Sequence, residues 1–324
     1  MDGKINGIFV ISVYNCIGRF AVPCFLMLSG VFLLDNSSNK EYKYFYKKSF
    51  KRIFMPTILF SMIYLFYYAI CNLIGRGSIE IVWLLKNLVK GKPATHLWYM
   101  YMLIGVYLLV PLLIKFKEDI GEKNFKIVSW ILFPISTIFL WTSTFELKWN
   151  LGFSFLYLPY LMTGYSISKT FNNKSLLKSL LFEVLSFISL LIMAYLVNRV
   201  TLSGLRIEHL NYSITSNSPL SMLYSIFVFI LFSLLTVNIN FSKLSNLSFD
   251  IYLIHYGVWD FIKKCLNHFA REGFVFELNA IWSIPVFTLI VMLLSLILAL
   301  VYNKIVSSQL MKNFEDKVTN FIFR

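Results

Sequence analysis

Long apolar runs recur along the whole chain, and they limit its possible folds more than any other feature. Each run has about 18 residues or more, and a helix of that length crosses the roughly 30 Å hydrocarbon layer of a membrane. Hydrophobic residues make up 58% of the 324 residues and charged residues 14%. Helices satisfy their own backbone hydrogen bonds in lipid. The sequence therefore predicts an all-α, polytopic integral membrane helix bundle.

The apolar runs predict about nine transmembrane helices in a single domain that covers residues 1–324. The eighth is the shortest and the most polar. The nine predicted spans are Ile8–Leu34, Ile53–Ile74, Leu97–Ile114, Ile127–Ser143, Leu151–Ser168, Ser179–Val197, Pro219–Asn238, Asp250–Cys265 and Ile281–Tyr302.

The charge of the chain indicates its orientation in the membrane. Its net charge of +14 comes from 30 lysines and arginines against 16 acidic residues. The basic residues lie in short connections rather than in one patch, which argues against nucleic-acid binding. One set of alternate connections, from Asp35–Arg52 to Lys304–Arg324, holds about 18 lysines and arginines, and the other set about 11. We therefore expect a multi-pass protein of the cell membrane, in contact with membrane lipids, with a cytoplasmic C-terminus and an external N-terminus.

Several kinds of site lack support in the sequence. Cys16, Cys24, Cys71 and Cys265 have no C-x-x-C spacing, so neither a disulfide framework nor a metal site is indicated. A nucleophile elbow, a P-loop, an H-E-x-x-H motif and a dinucleotide-binding glycine pattern are all missing. We expect no bound cofactor and no soluble-enzyme chemistry.

Ionisable residues at membrane depth are costly and need a partner or a role. Arg19 in the first span either meets an anion or a carbonyl inside the bundle, or extends to the membrane surface. His255, near the middle of the eighth span, is either a general base or a hydrogen-bonded core residue. His96 stands at the outer mouth of the third span, beside Trp98 and Tyr99 of a predicted aromatic belt.

A basic connection, residues 36–52, follows the first span and interleaves cations with aromatic residues. One interpretation is an anchor in the headgroups of an anionic inner leaflet. The other is that some of its cations meet the phosphates of a cytoplasmic donor such as coenzyme A. The candidates for donor phosphate binding are Lys47, Lys48, Lys51 and Arg52.

Three stretches of the chain resemble the membrane-bound acyltransferase 3 family. Arg19–Gly30 reads R-F-A-V-P-C-F-L-M-L-S-G and resembles the R-F-x-V-P-x-F-x-x-x-S-G signature of that family. His96–Tyr99 reads H-L-W-Y, and Ser248–His255 reads S-F-D-I-Y-L-I-H, and each resembles a further signature of the family. Their order and their spread over the chain make the resemblance fairly specific.

The resemblance implies a bacterial membrane enzyme that takes an acyl group, commonly acetyl, from acyl-CoA. The acceptor would be a hydroxyl of an envelope polysaccharide or of its lipid-linked sugar precursor. Proton transfer is expected from His255 and His96. The expected substrate-binding residues are Arg19, Ser29, Trp98 and Tyr252.

Members of the family usually begin with a further helix, which carries an arginine-rich start and a histidine thought to be catalytic. No such helix precedes Arg19 in the sequence given, and its addition would bring the total to ten. We expect a shortened form of a longer protein, and the alternative is a divergent member that acts without that histidine. Two rival functions stay open, a transporter or flippase for a lipid-linked glycan and an inactive remnant.

Overall fold

The computed structural model describes residues 2–77, 81–142, 154–171, 175–202, 218–235, 242–269, 280–306 and 309–323. All regular secondary structure within these ranges is helical. The α-helices are α1 (Asp2–Ile17), α2 (Ala21–Leu34), α3 (Tyr42–Ser49), α4 (Met55–Arg76), α5 (Ile81–Val89), α6 (Trp98–Thr142), α7 (Leu158–Thr170), α8 (Leu176–Leu202), α9 (Pro219–Leu234), α10 (Ser242–Phe269), α11 (Ala280–Val306) and α12 (Gln309–Ile322).

Five helical stretches of the described chain are long and apolar enough to cross a membrane. They are Phe9–Leu34, Tyr42–Gly75, Trp98–Trp141, Leu177–Thr201 and Ile281–Val306. Helix α9 is apolar but shorter. The prediction of an all-α polytopic membrane bundle is confirmed.

The first predicted span is a helix with an interruption. A short 3₁₀ turn, Gly18–Phe20, separates α1 from α2. Pro23 follows this turn and has no backbone N–H, so it cannot donate to the carbonyl of Arg19 four residues earlier. Arg19 therefore lies in the turn where the α-helical hydrogen bonding is interrupted.

Helix α6 covers the third and fourth predicted spans, and its two helical parts meet at Gly121, within the predicted connection at residues 115–126. It has 45 residues, roughly 67 Å of helix, which is about twice the hydrocarbon thickness of a bilayer. Gly121 interrupts it with φ 79° and ψ 156°, outside the helical region. Because φ is positive, glycine is the residue suited to this position. Within the predicted connection at residues 115–126, Gly121 is thus the residue that interrupts the helix.

Contacts divide the chain into two compact units. The first unit contains α1, α2, α6 from Gly105 onward, α7, α8 and α9. The second contains α3 from Lys43 onward, α4, α5, the start of α6 up to Ile104, α10, α11 and α12. We describe each unit by itself.

In the first unit, two helices cross with their backbones in direct contact. A Cβ atom at Gly30 of α2 would lie 2.0 Å from the carbonyl oxygen of Leu161 in α7. A Cβ atom at Gly164 of α7 would lie 2.1 Å from the carbonyl oxygen of Met27 in α2. Each helix thus places a glycine against the backbone of the other, as small residues commonly do where membrane helices cross closely.

In the second unit, the basic residues lie next to the start of a spanning helix. A π-helical segment, Phe50–Phe54, joins α3 to α4, and the N–H of Met55 donates to the carbonyl of Phe50 five residues earlier. Pro56 follows and lacks the N–H that would bond to the carbonyl of Arg52. Helix α12 packs on this segment, with the rings of Phe50 and Phe323 at 5.7 Å.

Candidate active site

One face of α10 in the second unit carries the predicted histidine and its aromatic neighbours. Tyr252 lies three and four residues before His255 and Tyr256, and Trp259 lies four and three residues after them, the spacing that puts helical residues on the same side. The rings of Tyr252 and His255 are 5.6 Å apart, and those of Tyr256 and Trp259 are 5.3 Å apart. The sequence around His255 therefore folds into a continuous aromatic surface.

The backbone determines which nitrogen of His255 carries the proton. Its Nδ1 lies 2.7 Å from the carbonyl oxygen of Tyr252. Because a carbonyl oxygen only accepts, Nδ1 must be the donor, and in the neutral ring Nε2 then carries the lone pair. His255 is half-buried, and this arrangement leaves the lone pair of Nε2 as the accepting position of its neutral ring.

His96 lies two residues before α6 and has the opposite tautomer. Its Nε2 donates to the carbonyl oxygen of Leu253 in α10 at 3.3 Å, so Nδ1 carries the lone pair. This Nδ1 atom is buried and has no hydrogen-bond partner among the described residues. Burial, and next the nearby ring of His255, lower the pKa of His96 to about 3. The ring is therefore neutral at physiological pH.

The two histidines lie side by side within an aromatic enclosure. Their ring centroids are 5.3 Å apart. Tyr256 stacks on His96 at 5.0 Å, and Tyr64 of α4 meets His96 edge-on at 5.1 Å. Tyr252 donates its hydroxyl hydrogen to the backbone carbonyl of His96. The enclosure brings together two imidazoles, each with one ring nitrogen that can accept a hydrogen bond.

Two of the predicted substrate-binding residues belong to this unit. Tyr252 is part of the enclosure, but its hydroxyl is already bonded to the His96 carbonyl. Trp98 begins α6, half-buried, and meets Tyr99 edge-on at 6.2 Å. Tyr99 in turn meets Tyr252 at 5.6 Å. Trp98 thus belongs to the outer layer of the same aromatic cluster.

The other two predicted substrate-binding residues belong to the first unit. The Nε atom of Arg19 donates to the side-chain oxygen of Asn15 at 3.1 Å, one turn earlier in the chain. Ser29 donates its hydroxyl hydrogen to the carbonyl of Phe25 at 2.9 Å. The hydroxyl hydrogen of Ser29 is therefore already used in a hydrogen bond within its own helix. The roles of both residues stay predictions.

The four predicted donor phosphate residues have different environments. Lys47 donates to the side chain of Asn320 at 2.9 Å, and Lys51 pairs with Asp316. Both partners belong to α12. Lys48 lies 5.8 Å from the ring centroid of Tyr44, and Arg52 is exposed. An incoming phosphate would compete with α12 for Lys47 and Lys51.

The sequence analysis missed Tyr64 and Tyr256, which both enclose His96. Tyr64 is a midspan tyrosine, and a hydroxyl at that depth needs a partner; this requirement was the available signal. Tyr256 directly follows His255 in the third motif. The described residues contain no group of three or more histidine, cysteine, aspartate or glutamate side chains placed to hold a metal ion.

Comparison with known proteins bears on the whole chain. A family model described as an acyltransferase domain, that of the acyltransferase 3 family, matches residues 3–302. Neither the curated proteins nor the solved structures gave a match. The family match confirms the resemblance of the three motifs and supports a membrane acyltransferase activity in general. The chain belongs to the acyltransferase 3 family of membrane acyltransferases.

Proposed function

We propose that this protein transfers an acyl group, most simply acetyl, from acyl-CoA to a hydroxyl of a cell-envelope glycan or of a lipid-linked sugar. The observation that carries the proposal is the tautomer of His255. Its Nδ1–H is held by the Tyr252 carbonyl at 2.7 Å, so Nε2 is the basic nitrogen. An oriented neutral imidazole is the side chain best suited to take a proton from a hydroxyl near neutral pH.

The chemistry assigns one role to each histidine. Nε2 of His255 accepts the proton of the acceptor hydroxyl while its oxygen attacks the thioester carbon. The carbon–sulfur bond then breaks, and the leaving coenzyme A thiolate takes up the proton held by Nε2, which restores neutral His255. Nδ1 of His96 accepts a hydrogen bond from a neighbouring hydroxyl of the acceptor, which fills the unpartnered position at this atom. With its pKa lowered to about 3, His96 is too weak a base for the proton transfer itself.

The donor is proposed to bind through its phosphates to the basic segment at the start of α4. Lys48 and Arg52 are exposed there, and Lys47 and Lys51 exchange α12 for the phosphates. Arginine and lysine side chains are the usual phosphate ligands. The positive-inside rule predicts that this segment and the C-terminus face the cytoplasm, where acyl-CoA is found. We propose the cell membrane as the location of the protein.

The test uses the purified protein in liposomes, with radiolabelled acetyl-CoA and isolated envelope glycan. We expect label on the glycan, and we expect mild alkali to release it because the product is an ester. His255→Gln should reduce the transfer rate by about 100-fold or more, the usual contribution of a general base. The matched control is Ser295→Ala in α11, which removes a buried hydroxyl bonded only to its own helix at the Val291 carbonyl.

A transporter or flippase would give a different result. It would move the lipid-linked sugar across the liposome membrane with no requirement for acyl-CoA, and acyl-CoA would not protect it against thermal unfolding. Transport without esterification would overturn the proposal. An inactive remnant would assemble in liposomes and give neither product.

A further inference from the structure

Tyr64 of α4 makes an unusual pair of hydrogen bonds with α10. It is 4% exposed. Its hydroxyl donates to the carbonyl oxygen of Leu253 at 2.8 Å and accepts from the N–H of Gly257 at 3.0 Å. Leu253 and Gly257 are four residues apart, so these are the two backbone groups that bond to each other in a regular α-helix. The tyrosine hydroxyl thus bridges one turn of α10.

This turn carries His255. The Leu253 carbonyl also accepts the hydrogen bond from Nε2 of His96. One carbonyl oxygen is therefore shared by Tyr64 and His96, and the turn that includes it holds the second histidine. A side chain that bonds to the backbone groups of a helical turn holds the local geometry of that turn. Here the Tyr64 hydroxyl bonds to both ends of the turn that carries His255, whose ring lies 5.3 Å from that of His96.

Gly257 leaves the space that the tyrosine needs. A Cβ atom at this position would lie 3.2 Å from the Tyr64 hydroxyl oxygen and 3.3 Å from its Cε1 atom. Both distances are tighter than ordinary contacts, so a side chain there would push the ring away from α10. The absence of a side chain at Gly257 therefore allows Tyr64 to approach the backbone of α10.

We propose that Tyr64 is a positioning residue for the acyl transfer, and that its hydroxyl holds the 253–257 turn of α10 in the shape that orients His255. The inference rests on the proposed function for its catalytic consequence. The bridge itself is a structural claim that can be tested without turnover. Tyr64 does not need to touch the substrate.

A buried tyrosine could instead be bonded only to satisfy its hydroxyl. The chain contains a half-buried tyrosine, Tyr101, in a comparable situation. The hydroxyl of Tyr101 lies 3.0 Å from the Ser61 hydroxyl, and Ser61 belongs to α4 as Tyr64 does. Tyr101→Phe removes a hydroxyl bonded to α4, while Tyr64→Phe removes the bridge to α10. A comparison of the two variants therefore separates the effect of losing any buried hydrogen bond from the effect of losing the bridge across the 253–257 turn.

The experiment compares wild type, Tyr64→Phe, Tyr101→Phe and Gly257→Ala in liposomes, by acyl-transfer kinetics and by amide hydrogen exchange. We expect Tyr64→Phe to lower kcat by about tenfold, with KM for acetyl-CoA within about twofold, because orientation and not binding is lost. Exchange of the 253–257 amides should accelerate by about tenfold, since local opening becomes easier. Tyr101→Phe should leave both quantities within about twofold of wild type.

Gly257→Ala supplies a second, independent perturbation. It should lower kcat in wild type and have a smaller effect in the Tyr64→Phe background, because the two residues act through one contact. Equal exchange at 253–257 in wild type and Tyr64→Phe would overturn the inference, whether or not the protein turns over. Faster exchange with unchanged kcat would also overturn it. An inactive wild type with faster exchange in Tyr64→Phe would refute the proposed function and leave the bridge established.

Discussion

The two units use their polar groups in different ways. In the first, hydroxyls bond to each other or to their own helices, as with Ser129 and Ser166 at 2.7 Å and Thr137 and Tyr160 at 3.3 Å. In the second, the His96 and His255 rings lie together, and the Nδ1 atom of His96 has no partner among the described residues. These hydrogen bonds of the first unit lie between packed helices, whereas the unpartnered Nδ1 atom of the second lies beside another imidazole, where we propose that the substrate binds.

Unpartnered buried atoms also occur in the first unit, and they clarify the comparison. Among the described residues, the side-chain oxygens of Asn39 and Asn198 have no hydrogen-bond partner. Neither is a titratable group. His96 differs because a second, oriented imidazole lies 5.3 Å from it. A buried atom without a hydrogen-bond partner that lies next to a second titratable ring indicates a functional site more strongly than such an atom alone.

The largest expected effect is on the glycine crossing of the first unit. Gly164→Val should prevent accumulation of folded protein, because its Cβ alone would lie 2.1 Å from the Met27 carbonyl oxygen. Overpacking of this kind costs about 3 kcal/mol or more when backbone has to move. Yield and thermal stability in detergent measure the effect.

Gly18→Ala is the control for that prediction, since nothing lies within 4 Å of a Cβ atom built there. It should accumulate as wild type does. Normal yield and stability of Gly164→Val would show that α2 and α7 do not cross as described.

The second prediction concerns His96 in the second unit, where we expect a substitution to reduce transfer but not stability. His96→Gln keeps an amide N–H near the place of Nε2, where it can still donate to Leu253, but it removes the lone pair at Nδ1. Transfer should fall by about tenfold, the effect of one lost hydrogen bond to the acceptor, while the melting temperature changes by less than about 2 °C. A stability loss as large as that of the glycine variant would make His96 a packing residue and remove the contrast between the units.

The third prediction concerns the competition for Lys51 in the second unit. Asp316→Asn releases Lys51 from its ion pair and should lower KM for acyl-CoA by about threefold, whereas Lys51→Gln should raise it by a similar factor. Stability should hardly change, because exposed ion pairs contribute little. Initial rates over a range of acyl-CoA concentrations measure both. A change of the same sign in the two variants would exclude Lys51 from donor binding.

The smallest expected effect is at Ser29. Its hydroxyl is bonded to the Phe25 carbonyl, so Ser29→Ala should leave transfer within about twofold of wild type, as is usual for substitutions away from critical contacts. Kinetics under the conditions used for His96→Gln provide the comparison. A loss of tenfold or more would return Ser29 to the substrate-binding residues that the family resemblance implies.

The sequence was sufficient for the helical fold because membrane spans depend on local composition. Apolar runs predicted spans at Leu97–Ile114 and Ile281–Tyr302 without knowledge of any contact, and the structure has long apolar helices in both regions. The bend at Gly121 was not predictable in position, since charged residues on both sides of it are good helix formers and continue the helix.

The site was only partly predictable, because it depends on contacts between distant segments. The motifs marked His96 and His255 separately, but their adjacency requires the packing of the segment before α6 on α10. The tautomers follow from backbone carbonyls that no sequence pattern marks. The role of Tyr64 needs both a hydrogen-bond geometry and the space left by Gly257.

The most direct test of the account is the dependence of ester formation on His255. Wild type and His255→Gln, reconstituted at equal amounts, are given labelled acetyl-CoA and envelope glycan, and alkali-labile label on the glycan is counted. The account predicts label with wild type and a loss of about 100-fold or more in the variant. Equal transfer by the two proteins would contradict the assignment of His255 as the base.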